Sequence, residues 1–294
     1  MKRRALIFAV VTTFLWSGSY ILNKLAFQSN IGPLTLSGLR YLIASLFLLA
    51  IGRRKRQKAG GTLSPRMVVL LGLLGYAVAQ GLQYVGQSYL TPTQSSLFLS
   101  VGNTLLIMLA DRVWLRENQT RQDLIKLLFL IVGIALYYYP WDTAGFSVAG
   151  MLFMAVSSIG YALNTTLNRR LLTGKKVDAG TLTAQPMLAG AVVLLIAGIA
   201  TEGLPVITFQ LVLILGYLSL ASGALGFYLW TKSQEHLTAF ENSSINNLML
   251  IEIALLDLVV FNRSFSLHQI VAILVVFGAI LSIQQKKKIR EIRK

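Results

Sequence analysis

Trp16, Tyr20 and Asn23 follow one another at positions i, i+4 and i+7 of an apolar stretch near the amino terminus. A helix there places all three side chains on one face. A similar face recurs 141 residues later, in Ser157, Tyr161 and Asn164. Rings and amides on one face can line a cavity for a small polar solute, and hydrogen bonding between neighbouring helices is the alternative interpretation. Because Trp16 and Tyr20 lie too deep for an interfacial aromatic belt, we favour cavity lining.

Further amides and aromatic rings occur where a membrane helix is expected to be apolar. They are Tyr76, Gln80, Gln83, Tyr84, Gln87, Asn103, Phe227, Trp230, Asn246 and Asn247. Lipid cannot satisfy amide groups, so these side chains are predicted to point into the protein. Aromatic faces combined with amide edges suit a zwitterion or a cation. Helix packing explains any single member equally well, so the prediction concerns the set.

Three ionisable residues, Arg40, Glu252 and Asp257, lie deep within apolar stretches. Each costs about 2.5–3.5 kcal/mol on insertion scales unless it is paired or hydrated. For Arg40 we favour a structural ion pair with Glu252 that joins two helices, and a substrate or proton site is the alternative. For Glu252 a structural and a functional role are equally open, because a carboxylate in a dry site can bind substrate or exchange protons. Asp257 is a second candidate for proton coupling.

No pattern in the sequence is typical of a cofactor, a metal site or an enzyme. The chain has no cysteine, and its two histidines, His236 and His268, lack the spacing of metal ligands. Neither a phosphate-binding glycine loop nor a nucleophile elbow nor a zinc-protease motif occurs. We therefore expect no cofactor and no metal. An integral-membrane enzyme and a receptor are the alternatives from other functional classes.

The composition indicates a protein that is surrounded by lipid. Of 294 residues, 55% are hydrophobic and 13% are charged, whereas soluble domains contain about 25% charged residues. The net charge of +16 would suit nucleic acid only if the basic residues shared one water-facing surface. They lie instead between apolar stretches. The sequence therefore argues against a soluble protein and a nucleic-acid partner, and favours a lipid bilayer.

Apolar stretches of about 20 residues, long enough to cross a bilayer as helices, recur along the chain. We predict ten spans, at residues 5–26, 32–51, 67–89, 95–113, 124–139, 148–168, 182–200, 207–231, 242–261 and 267–283. With the amino terminus in the cytoplasm, 24 of the 27 Lys and Arg residues lie on the cytoplasmic side, all except Lys24, Arg40 and Arg263. Cytoplasmic loops are enriched in Lys and Arg. We therefore predict an all-α polytopic membrane protein with both termini cytoplasmic.

The chain also contains a weak internal repeat. Residues 16–23 align with residues 157–164 and share Tyr-x-x-Asn, and residues 82–96 align with residues 229–243 and share a Leu-Thr pair. Five spans per half is an odd number, so the two halves must enter the membrane from opposite sides. We predict two inverted five-helix repeats, residues 1–141 and residues 142–294, within one membrane domain. Two such halves can open a central cavity to either side in turn.

Several short motifs, taken in order and spacing, carry a resemblance to a known family. They are Phe-Leu-Trp-Ser-Gly-Ser-Tyr at 14–20, Pro33, Leu-Arg-Tyr at 39–41, Leu-Arg-Glu at 115–117, Gly133 and Gly278. In these motifs the chain resembles the ten-helix EamA-type exporters of the drug/metabolite transporter superfamily. It departs from them where many relatives have prolines near Asn103 and Leu250, and where Ile-Glu-Ile at 251–253 and Asn-Arg at 262–263 replace Leu-Glu-Pro and Gly-Glu. The resemblance implies transport of small metabolites, often amino acids or their analogues, without a prosthetic group.

These features together predict a secondary transporter that exports a small metabolite, an amino acid or an analogue of one, by alternating access. The predicted substrate-binding residues are Trp16, Tyr20, Asn23, Tyr76, Gln80, Gln83, Tyr84, Asn103, Tyr161, Asn164, Phe227, Trp230, Asn246 and Glu252. Import of a sugar, a nucleotide-sugar or an organic cation is the alternative within transport. We expect the protein in a bacterial cytoplasmic membrane, as a monomer or a homodimer.

Overall fold

The computed structural model of the chain describes residues 1–29, 31–53, 62–115, 121–137, 139, 147–174, 177–261 and 266–292. Within these ranges the regular structure is entirely helical, and no β-strand occurs. Arg116, Glu117, Asn262 and Arg263, which belong to the motifs compared above, lie outside the described residues. The side chain of Asp257 lies outside them too, so its role in proton coupling stays a prediction.

The described residues form thirteen α-helices and three π-helical segments. In chain order these are α1 (Lys2–Gln28), α2 (Pro33–Arg53), α3 (Pro65–Gly72), π1 (Leu73–Gly81), α4 (Leu82–Tyr89), α5 (Pro92–Ala110), π2 (Asp111–Leu115), α6 (Arg121–Tyr137), α7 (Val148–Thr173), α8 (Ala179–Glu202), α9 (Phe209–Gly216), π3 (Tyr217–Leu225), α10 (Gly226–Ser233), α11 (Ala239–Asn246), α12 (Leu248–Phe261) and α13 (Leu267–Ile292). The helices α3, π1 and α4 run on without a break, as do α9, π3 and α10.

Seven stretches of the described chain are long and apolar enough to cross a membrane as helices. They are Lys2–Gln28, Pro33–Gly52, Pro65–Tyr89, Gln94–Trp114, Val148–Thr173, Ala179–Glu202 and Phe209–Ser233. The fifth and tenth predicted spans correspond to shorter apolar helices, Leu124–Tyr137 and Leu267–Ile283. The helical membrane fold is thus confirmed for the described residues. The count of ten spans and the cytoplasmic termini stay predictions.

The ninth predicted span is divided between α11 and α12 at Asn247. The side-chain amide of Asn247 donates to the backbone oxygen of Ser243 at 3.1 Å and to Thr104 Oγ1 on α5 at 3.0 Å. An asparagine that bonds nearby backbone groups competes with the regular helix ladder. The hydrogen bonds of Asn247 therefore explain the break between α11 and α12, which the apolar content of the span does not predict.

The third and eighth predicted spans share an irregular helix pattern. In both, eight α-helical residues precede nine π-helical residues and eight further α-helical ones. The two patterns begin at Pro65 and Phe209, 144 residues apart, whereas the helices that follow them begin at Pro92 and Ala239, 147 residues apart. The turn after the second pattern is therefore three residues longer. π-helical segments frequently occur at functional sites. We therefore expect the functional site near π1 and π3, in the centre of the bundle.

The helix α2 packs along α8 through small residues, as is usual in membrane bundles. A Cβ atom added at Gly198 would lie 2.6 Å from the backbone nitrogen of Thr35. At the end of α8, the Glu202 carboxylate accepts hydrogen bonds from the backbone N–H groups of Leu34 at 2.9 Å and Thr35 at 2.8 Å. It thereby satisfies groups that the first turn of α2 leaves open. These contacts fix the position of α2 and, with it, of Arg40.

The helix α1 lies where the two halves of the chain meet. It contacts α4 and α5 from the first half and α9, α10, α11 and α12 from the second. On the flanks, α5 packs against α7, and α6 packs against α13. A side chain on the inner face of α1 can therefore touch residues from both halves.

Candidate functional site

A cavity of about 30 Å³ lies at the meeting point of the two halves, and we call it the central cavity. Its lining residues are Trp16, Ser19, Tyr20, Arg40, Gln80, Gln83, Leu99, Asn103, Tyr161, Phe227, Asn246 and Met249. They come from helices of both halves, and aromatic rings and amides predominate among them. Arg40 is the one charged residue in this lining. Ring faces and amide edges around a single cation match a small polar solute with an apolar part.

Five buried rings, which we call the aromatic cluster, pack on one side of the central cavity. They are Trp16, Tyr41, Tyr76, Phe227 and Trp230. The ring centroid of Trp16 lies 4.9 Å from that of Phe227 and 5.1 Å from that of Trp230. The ring of Phe227 lies 5.5 Å from that of Tyr76 and 5.6 Å from that of Tyr41. Trp16 Nε1 donates to the backbone oxygen of Ser222 at 3.0 Å, which ties the cluster to π3.

Ion pairs and hydrogen bonds join the helices at the end of the bundle where α1 begins, which we call the amino-terminal end. Lys2 Nζ lies 2.9 Å from Glu241 Oε1 in the first turn of α11. Glu241 also forms a reciprocal capping box with Thr238 at the start of that helix. Arg169 on α7 donates to the backbone oxygen of Gln234 in the preceding turn. These contacts join α1, α7 and α11 at the amino-terminal end.

A larger cavity of about 460 Å³, which we call the vestibule, lies toward the opposite end, where α1 and α4 end and α5 begins. Its lining residues are Tyr20, Asn23, Lys24, Phe27, Gln28, Gln87, Ser88, Tyr89, Leu90, Thr91 and Gln94. Within it, Asn23 Nδ2 donates to Gln87 Oε1 at 2.9 Å. Tyr20 lines both cavities. This ring is therefore the side chain that stands between the vestibule and the central cavity.

Arg40 is held among neutral groups. Its Nη1 donates to the hydroxyl of Tyr84, and its Nη2 donates to Ser222 Oγ at 2.7 Å. The guanidinium also lies over the rings of Tyr41 and Tyr84, with its central carbon 5.1 Å and 5.6 Å from the centroids. Tyr84, which we predicted to bind substrate, thus supports Arg40 and is not part of the cavity lining.

Glu252 has its own partners on α1, which contradicts the predicted ion pair with Arg40. Thr13 Oγ1 donates to Glu252 Oε1 at 3.0 Å, and Ser17 Oγ donates to Glu252 Oε2 at 2.5 Å. Among the described residues, neither Arg40 nor any other basic side chain lies within ion-pair distance of this carboxylate. The predicted pair is wrong because each of the two groups contacts neutral side chains instead of the opposite charge.

The model of the EamA-like transporter family matches the chain twice, over residues 3–139 and residues 148–284. The chain belongs to the EamA-like transporter family. A relative described as the uncharacterized transporter YyaM of Bacillus subtilis (strain 168) is 23% identical over 261 residues, which cover 84% of this chain and 83% of that protein. A solved crystal structure with 16% sequence identity shares the fold, with a TM-score of 0.76 over 96% of this chain and 98% of that one. The protein is therefore an integral membrane transporter of small solutes.

The structure of this transporter brings together eight of the fourteen predicted substrate-binding residues in the central cavity lining. These are Trp16, Tyr20, Gln80, Gln83, Asn103, Tyr161, Phe227 and Asn246. Tyr76 and Trp230 belong to the aromatic cluster, and Asn23 lies in the vestibule. Asn164 instead faces π1, because a Cβ added at Gly75 would lie 2.6 Å from its side chain. The part that each residue plays in binding stays a prediction.

Sequence patterns did not single out Ser19, Leu99 and Met249, which also line the cavity, nor Ser222, which contacts both Arg40 and Trp16. Small and apolar residues occur on every membrane helix, so residue type alone does not identify the ones that line a cavity. Ser222 lies in π3, whose altered helical phase is not visible in the sequence. Within the described ranges, no three His, Asp or Glu residues group closely enough to hold a metal ion.

Proposed function

We propose that this transporter exports a small metabolite, an amino acid or an analogue of one, by alternating access through the central cavity. The observation that carries the proposal is the cavity lining, which joins ring faces to amide edges. The rings belong to Trp16, Tyr20, Tyr161 and Phe227, and the amides to Gln80, Gln83, Asn103 and Asn246. Such a lining suits a compact molecule with both a polar group and an apolar part.

The difference between the two ends of the bundle supports alternating access. The Lys2–Glu241 ion pair joins α1 and α11 at one end, whereas the vestibule of about 460 Å³ lies toward the other and reaches Tyr20. Alternating access requires two states, each open at one end. The arrangement described here corresponds to the state that is open at the vestibule end. Because the central cavity measures only about 30 Å³, we propose that Tyr20 moves aside when the solute binds.

The predicted orientation gives the side of the membrane that each end of the bundle faces. If both termini are cytoplasmic, as the basic residues predict, the vestibule faces the outside of the cell and the amino-terminal end faces the cytoplasm. Export is the direction implied by the resemblance to EamA-type exporters. We propose that the protein acts in a bacterial cytoplasmic membrane, as a monomer or a homodimer.

Glu252 is the residue to which we assign proton coupling. Its carboxylate accepts hydrogen bonds from the hydroxyls of Thr13 and Ser17 in α1. The same helix also carries Trp16 and Tyr20. Proton uptake would change both hydrogen bonds, because a protonated carboxyl group donates where a carboxylate only accepts. A change of charge on α12 is thereby linked to the helix that lines both cavities.

Reconstituted flux tests the proposal. Purified protein in liposomes loaded with the twenty common amino acids is expected to release at least one of them faster than protein-free liposomes do, as measured by mass spectrometry. The same vesicles, assayed for uptake of sugars, nucleotide-sugars and organic cations, test the import alternative. Movement of those solutes alone, or of no solute in the panel, would contradict the proposal.

A further inference from the structure

Arg40 carries a buried positive charge that no acidic side chain of the described residues balances. The residue is 3% exposed, and its recorded contacts are a tyrosine hydroxyl, a serine hydroxyl and two tyrosine rings, all of them neutral. A guanidinium keeps its proton in a protein, so the charge cannot be removed by neutralisation. A buried charge without a counter-charge is strongly unfavourable. Within the part of the chain that the structure describes, the site therefore lacks a negative group.

The guanidinium also has unused hydrogen-bond donors. It carries five N–H groups, and the contacts to Tyr84 and Ser222 occupy one on each terminal nitrogen. Its Nε is buried and has no hydrogen-bond partner. The N–H of Nε and one terminal N–H together form the edge to which a carboxylate binds through two parallel hydrogen bonds. Arg40 lines the central cavity, and because its Nε is buried, a ligand reaches this edge when the cavity widens.

We propose that Arg40 binds the carboxylate of the transported solute. The assignment rests on the proposed function and specifies the chemical class of the substrate, which is a small molecule with a free carboxylate. The solute supplies the negative charge that none of the described residues places beside Arg40. Two contacts prepare the guanidinium for this role, since Tyr84 and Ser222 fix its plane before the ligand arrives.

Two amide oxygens extend the assignment to zwitterions. Asn103 Oδ1 on α5 and Asn246 Oδ1 on α11 are buried without a hydrogen-bond partner, and both residues line the same cavity as Arg40. A primary ammonium group has three donors and no acceptor, and therefore matches such oxygens. An α-amino acid presents its carboxylate and its ammonium on one carbon, so it can satisfy Arg40 and these amides together.

The same charge argues against the other solute classes. An organic cation would bring a second positive charge next to the guanidinium in a poorly hydrated site, which is repulsive. A neutral sugar would leave the charge of Arg40 unbalanced. Two carboxylates contact α1 among the described residues, and both have partners other than Arg40: Glu241 pairs with Lys2, and Glu252 is held by Thr13 and Ser17.

The experiment compares each amino acid with its carboxamide, in which a neutral group of similar size replaces the carboxylate. Liposomes containing the full-length protein are loaded with matched pairs, L-phenylalanine with L-phenylalaninamide and L-leucine with L-leucinamide among them, and release is corrected for protein-free vesicles. We expect the wild type to prefer the acid over its amide by about 10- to 150-fold, the effect of a hydrogen-bonded charge pair. Arg40→Gln is expected to lose this preference. Arg169→Gln removes another buried arginine, away from the central cavity, and is expected to keep it.

The outcomes separate this assignment from the proposed function. A wild type that moves the amides as fast as the acids, or an Arg40→Gln variant that keeps the preference, would overturn the assignment and leave transport intact. A wild type that moves neither member of any pair would overturn both. If Arg40→Gln does not fold, thermal unfolding of the wild type in detergent decides: transported acids are expected to raise the Tm more than their amides, and equal shifts would refute the assignment.

Discussion

Gly72 and Gly216 occupy equivalent places in the two halves, at the end of the α-helix that precedes π1 and π3, yet they differ in the space around them. A Cβ atom on Gly72 would lie 2.8 Å from the backbone oxygen of Pro186 and 2.9 Å from Ala189 Cβ, both on α8. A Cβ atom on Gly216 would meet no atom within 4 Å. The substitution Gly72→Ala must therefore push α3 and α8 apart, whereas Gly216→Ala needs no movement.

The expected changes in the free energy of unfolding follow from two opposing effects. Alanine is more favourable than glycine inside a helix by about 0.8–1.0 kcal/mol, and this gain applies to both positions. Forcing an extra carbon into a packed contact costs about 1–3 kcal/mol, and this cost applies only to Gly72. We therefore expect Gly216→Ala to stabilise the protein, and we expect the free energies of unfolding of the two variants to differ by about 1–3 kcal/mol, with Gly72→Ala the less stable.

Unfolding in mixed micelles, titrated with dodecyl sulfate and followed by circular dichroism, measures this difference. The paired design removes the effect of helix preference, because both variants make the same exchange in equivalent positions. Equal stability changes at the two glycines, or a more stable Gly72→Ala variant, would refute the packing of α3 on α8 described above.

Three further variants test other parts of the structure. Glu252→Gln is expected to abolish the dependence of transport on a pH gradient and to preserve solute exchange at equal pH, because an amide cannot take up the coupling proton. Glu202→Gln is expected to lower the free energy of unfolding by about 1 kcal/mol, since it weakens the cap of α2. Lys2→Glu places a like charge beside Glu241 and is expected to open the amino-terminal end. The opening is measured as faster maleimide labelling of a cysteine introduced by Ser233→Cys, in a chain that otherwise has none.

For each of the three variants, one result would contradict the role assigned to the residue. Transport by Glu252→Gln that still follows the pH gradient would exclude Glu252 from coupling. Glu235→Gln alters a carboxylate that pairs only with the neighbouring Lys232, so it should leave stability nearly unchanged, and an equal loss would contradict the capping role of Glu202. Combining Lys2→Glu with Glu241→Lys should return the labelling rate to the wild-type value, and labelling that stays fast would contradict the ion pair.

Helical spacing predicted which face of α1 points inward, but it did not predict depth along the helix. Trp16 and Tyr20 both reach the central cavity, whereas Asn23 lies in the vestibule. Seven residues turn a helix through nearly two whole turns and advance it by about 10 Å. Side chains that share a face can therefore belong to two different cavities.

The predicted pair of Arg40 and Glu252 was wrong because hydropathy reveals depth in the membrane and not the rotation of a helix about its axis. Two opposite charges in the interior favour pairing when nothing else is known. The rotation of α2 depends on contacts such as Gly198 against Thr35, between residues far apart in the sequence. A single sequence does not show which small residues meet.

The internal alignment was correct in one part and shifted in another. The predicted offset of 147 residues holds for the helices that begin at Pro92 and Ala239, but the irregular spans before them begin at Pro65 and Phe209, 144 residues apart. The shared Leu-Thr pair fixed the alignment at the turn, and the match of Gln87 with Gln234 at the same offset carried it into the span before the turn. The family was predicted correctly, because most of its motifs lie within the predicted spans, in a fixed order and spacing.

The matched π-helical segments also bear on the origin of the two halves. An irregularity of equal length at the same place in both halves is the pattern expected when one ancestral half that already contained it is duplicated. The three additional residues occur in only one half. They lie in the turn between Ser233 and Thr238, which Arg169 now contacts at Gln234. The two halves thus differ in length at this connecting turn, while the irregular helices before it have equal lengths.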